Sequence, residues 1–80
     1  MDVKEYRDEL ARKSLDKLED LSAAFDAGKI GIVAYRTGVS TIWWITAGLV
    51  DKATLAVIEL AQSQVEEEYQ RRMRKLNEGV

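Results

Sequence analysis

Residues able to do chemistry are narrow in kind here. The chain carries 14 Asp and Glu and 12 Lys and Arg, with no His and no Cys. The commonest general base and metal ligand is therefore missing. Disulfides and thiolate metal sites are excluded. Carboxylates remain, and a converging pair could do acid–base work. The densest group is Glu66, Glu67 and Glu68. Consecutive helical residues fan out around the axis and do not converge on one atom, so this run reads as a solvated face. Ser14, Ser22, Ser40 and Ser63 have no histidine to activate them, and no Ser-x-x-Lys pattern replaces one. Asp26-Ala27-Gly28-Lys29 lacks both the spaced acidic ligands of a calcium loop and the full phosphate-loop signature, so it reads as a helix end. No catalytic residue, metal ligand or cofactor site is expected, and the chain is not expected to be an enzyme.

Binding is the chemistry left. Arg36 is the one charge in the apolar stretch Ile30–Leu49. An unpaired buried arginine is costly, so its head should reach water or a carboxylate of a flanking segment, or else hold an anion or a partner. Trp43 and Trp44 are adjacent, so on a helix one should enter the core and the other should stand as an interface anchor. Tyr69 and Arg72 lie on the charged C-terminal segment, and Arg71, Arg72, Arg74 and Lys75 make it basic. The glutamates before them cancel most of that field. With a net charge of −2, the composition argues against a grip on nucleic acid.

These residues must be positioned by three segments. Asp2 to Phe25 carries Val3, Tyr6, Leu10, Ser14, Leu18, Leu21 and Phe25 at three- and four-residue steps, the stripe of an amphipathic helix. Asp2 should cap it by accepting from the N–H of Glu5, with Glu5 reaching back. Met1 and Tyr6 stand where a hydrophobic staple would stand, and Gly28 should end the helix in a left-handed conformation. Asp51 should cap a last helix with the stripe Ile58, Ala61, Val65, Tyr69 and Leu76, supported by Glu67–Arg71 and Glu68–Arg72 pairs.

Between them the sequence is ambiguous. As a helix it has one face of Tyr35, Val39, Ile42 and Thr46 and a second of Val33, Thr37, Thr41, Trp44 and Ile45. Arg36 and Ser40 form a polar strip, and two apolar faces suit a helix sandwiched between two others. As strands, the same β-branched and aromatic residues alternate, and residues 36–38 could turn a hairpin over 30–46. The helix is preferred, because a lone hairpin is marginal and would turn one tryptophan to water. The expected fold is an all-α antiparallel three-helix bundle, one domain over 1–80, with helices near 3–26, 31–47 and 52–78. The last helix should project two or three turns past the first loop. The alternative is α-β-β-α.

The uncharged run Thr37–Val50 is too short to span a bilayer. No secretory signal is read in MDVKEY, so a cytoplasmic location is expected. The chain is expected to be a small acidic helical interaction module that docks on another protein, as an inhibitor or regulator. Its likeness to phage-type inhibitors is one of size and class alone. The rival readings are a self-assembling structural or adaptor protein and an anion binder using Arg36. Homodimerisation is expected through Ile42, Trp43, Trp44 and Ile45, with the Glu-Arg end of the last helix, including Tyr69 and Arg72, at the rim.

Overall fold

The computed structural model describes residues 2–79; the staple expected of Met1 lies outside them. Three helices are present: α1 (Val3–Asp26), α2 (Ile32–Thr46) and α3 (Lys52–Glu78). No strand occurs among the described residues, so the hairpin alternative is set aside. The helices run up, down and up as an antiparallel three-helix bundle. The middle one is a residue shorter at each end than expected, because Gly31 and Ala47 are its caps.

Local chemistry sets the ends. Asp2 caps α1 from an extended backbone, but its Oδ1 accepts from the N–H of Lys4, at 3.3 Å, and not from Glu5 as a capping box requires. At the other end Gly28 adopts φ 74°, its N–H donates to Phe25 O, and the Lys29 N–H donates to Ala24 O. That pair of bonds is a Schellman ending. α2 ends in a different turn from α1. Ala47 (φ −58°, ψ 124°) and Gly48 (φ 81°) form a type II turn closed by the Leu49 N–H on Thr46 O at 2.9 Å. Asp51 then caps α3, accepting from the Thr54 N–H at 3.3 Å and the Thr54 hydroxyl at 2.5 Å. Those bonds hold the Asp51 carboxyl below its ordinary value.

Eight of the fifteen residues of α2 are β-branched, so intrinsic propensity opposes this helix. Burial decides in its favour. Val39 and Thr46 are fully buried, and Ile42 is nearly so. Thr46 tolerates the core because its hydroxyl donates to Ile42 O at 2.7 Å. Leu18 of α1, Val39 and Ile42 of α2, and Ile58 and Val65 of α3 form the core, with Leu21, Ile32, Tyr35, Trp43 and Ala61 packed around it. Each fully buried aliphatic side chain contributes about 1.5–3 kcal/mol.

α2 supplies most of the interhelical contact, and α1 and α3 touch one another little. The register can be read from side chains. A Cβ on Gly38 would lie 2.8 Å from Leu21 Cδ1, so the missing side chain lets α1 approach. Phe25 stacks on Tyr35 with ring centroids 4.7 Å apart. This register leaves the start of α1 beyond the α2–α3 turn and the end of α3 beyond the α1–α2 loop. The molecule is accordingly 55 Å long, whereas α3 alone accounts for about 40 Å. Val3, Tyr6 and Leu76, expected in the stripes, therefore stay exposed, because their stripes run past the body.

Candidate functional site

Successive helical residues are rotated by about 100°, so the contacts of α2 fix what each part of it faces. Val39, Ile42 and Thr46 point to the core. Gly38 turns to α1, while Arg36 turns to α3. The outward arc carries Val33, Ala34, Thr37, Thr41, Trp44 and Ile45, all exposed. Trp44 is 77% exposed, Val33 60% and Ile45 53%. The Thr41 hydroxyl donates to Thr37 O at 2.8 Å, which uses its hydrogen on the helix itself. No charged residue lies on this arc. The expected sandwich is thus corrected. α1 and α3 both pack on the inner side of α2, and its second apolar face stays open to water.

The six residues singled out from sequence do not form one surface. Ile42 is 7% exposed and belongs to the core, so it cannot line an interface. Trp43 is half-buried against the core. Its Nε1–H is buried with no acceptor among the described residues, an arrangement that costs about 1–3 kcal/mol. Trp44 is the exposed member of the pair.

Arg36, Tyr69 and Arg72 are engaged within the molecule. The Arg36 Nε–H donates to Glu66 Oε2 at 2.6 Å, and its Nη2 donates to Glu66 Oε1 at 3.3 Å. The guanidinium lies 4.2 Å from the centroid of the Tyr69 ring. The Arg72 guanidinium sits 5.1 Å from the Phe25 ring centroid and donates to Glu68 at 2.8 Å. Arg71 also pairs with Glu68, in place of the Glu67–Arg71 pair expected from spacing. Arg36 holds the Glu66 carboxyl below its ordinary value through these hydrogen bonds, with Gln70 donating as well at 3.1 Å. The same bonds raise the Arg36 pKa. This cluster clamps α2 to α3, with the Arg36 Nε–H and one Nη2–H committed to Glu66.

No protein-family model, curated protein or solved structure matches this chain. Its own side chains therefore carry the functional reading. Among the described residues, no three acidic side chains gather as a metal site would need. No helix among them is long and apolar enough to cross a membrane. What sequence reasoning missed is which apolar face of α2 the fold covers. One signal did point to the open face: from Thr37 to Val50 no charge appears at all.

Proposed function

We propose that the protein is a non-catalytic interaction module whose working surface is the outward arc of α2, anchored by Trp44. One observation carries this reading: a tryptophan 77% exposed, flanked by exposed Val33 and Ile45, on a helix with no charge on that side. Exposed aliphatic and aromatic side chains in one patch mark association surfaces. Tryptophan is also enriched among residues whose truncation costs about 2 kcal/mol or more of binding. A module of this kind acts by occupying or reshaping its partner, as an inhibitor or regulator does. The lack of histidine and cysteine supports the absence of chemistry, as does the use of Asp51 and Glu66 in a cap and a clamp. An anion-binding role for Arg36 is disfavoured, because the Glu66 carboxylate already pairs with its charge.

The test is site-specific photo-crosslinking in the native host. A photoreactive residue at position 45 should capture a partner polypeptide, and one at position 67 should not. Capture at 67 and none at 45 would sink the reading.

A further inference from the structure

We infer that the first occupant of this face is a second copy of the same chain, packed antiparallel across a two-fold axis that passes between Thr37 and Thr41 on the outward arc. The inference rests on the reading above and names what covers the face before another protein takes it. In a two-fold interface the same patch serves both copies, so every residue meets the patch it belongs to. A charged patch would then bring like charges together. This patch has none, and the one charge of α2, Arg36, is turned away and held by Glu66.

The spacing of sizes is also self-complementary. Val39 is the midpoint of α2. About that midpoint Val33 mirrors Ile45, Ala34 mirrors Trp44, and Thr37 mirrors Thr41. Large side chains crowd one end of the arc and small ones the other. Two copies packed in parallel would set tryptophan against tryptophan and leave the Ala34 end underfilled. Packed antiparallel, Trp44 of each copy falls over the Val33–Thr37 patch of its mate, and Ile45 falls over Ala34. The threonines meet at the centre, where their small size lets the helices approach. Antiparallel packing also sets each helix N-terminus beside a C-terminus, the favourable arrangement of the dipoles.

α2 is about 22 Å long, so two such arcs bury less than the roughly 800 Å² per partner of a standard stable interface. The dimer is therefore a concentration-dependent one.

The test is sedimentation equilibrium of the intact chain from micromolar to millimolar concentration, with circular dichroism confirming that each variant is folded. The wild-type mass should rise from 9.1 kDa toward twice that value. Trp44→Ala should weaken self-association about thirtyfold or more. Thr41→Glu and Thr41→Lys should each be monomeric, and an equimolar mixture of the two should recover a dimer. The chain has no cysteine of its own, so introduced cysteines report pairing cleanly. A mixture of Ala34→Cys and Ile45→Cys should give the mixed disulfide. Disulfides of 34 with 34 and 45 with 45 would overturn the antiparallel packing. A wild-type chain that stays at 9.1 kDa through the millimolar range overturns the second copy as occupant, while crosslinking at position 45 still tests the face. A dimer unaffected by Trp44→Ala and Thr41→Glu overturns both the inference and the reading beneath it.

Discussion

Trp43 and Trp44 meet edge to face, with ring centroids 5.8 Å apart, yet they occupy opposite environments. One indole packs against the core and the other stands in water. Their effects on truncation should therefore separate. Trp43→Ala opens a partial cavity and should cost about 2 kcal/mol, below the usual core range because the side chain is half-buried. For a domain of this size that lowers the melting temperature by roughly 10 °C. Trp44→Ala should leave the stability of the monomer within about 0.5 kcal/mol of wild type. Thermal unfolding at low concentration checks both, and equal destabilisation by the two changes would contradict the assignment.

Trp43→Phe should be milder than the loss of volume implies. It removes a buried N–H that has no acceptor, and the desolvation of that group no longer opposes folding. A chemical-denaturation midpoint far closer to wild type than that of Trp43→Ala is expected. Equal midpoints would mean that the indole N–H has found an acceptor.

Gly38 and Leu21 should behave as a coupled pair. Ala at 38 gains about 1 kcal/mol of helix propensity. Its methyl would sit 2.8 Å from a Leu21 methyl, so Leu21 must move. Repacking of that kind costs about 1–3 kcal/mol, and Gly38→Ala should destabilise by about 1 kcal/mol net. In the Leu21→Ala background the same change should stabilise, since the methyl then fills space. A double-mutant cycle checks this, and additivity of the two changes would show that α1 does not close on α2 here.

The Arg36–Glu66 clamp should fade in acid. The folded pKa of Glu66 lies below the ordinary value of 4.5, so its contribution is complete above that pH. It is lost as the pH falls through 4.5 and on through the folded value. Melting temperatures of wild type and Glu66→Gln should differ near neutrality and converge in acid. A gap that widens as the pH falls would give the clamp the wrong sign. Arg36→Lys should keep only part of the effect, because lysine has neither the fork that takes both Glu66 oxygens nor the plane that stacks on Tyr69.

Much of the fold was legible in residue types, because the ends of the helices are set by local chemistry. Gly28 and Asp51 mark where α1 stops and α3 starts, and both act as their types suggest. Asp2 accepts from Lys4, one residue before the Glu5 that its spacing suggests, and the chain leaves α2 through a type II turn at Gly48. These details depend on dihedral angles that residue identity does not fix. The covered side of α2 was hidden for a different reason. A helix apolar nearly all round gives periodicity no contrast, so Ile42 and Trp44 look alike in sequence and separate only on packing. Arg36 was conspicuous as a lone charge. Its partner Glu66 lies 30 residues away, and only the register of α2 on α3 brings them together.

Trp44 itself offers the most direct measurement. In Trp43→Phe it is the only tryptophan, and a soluble quencher of indole fluorescence reports its contact with water. Quenching should be near that of a free indole in the dilute chain and should fall as the chain associates. In Trp44→Phe the remaining Trp43 should be shielded at every concentration. A Trp44 shielded at high dilution, or one quenched equally well in the associated form, would contradict the assignment of this face as the contact surface.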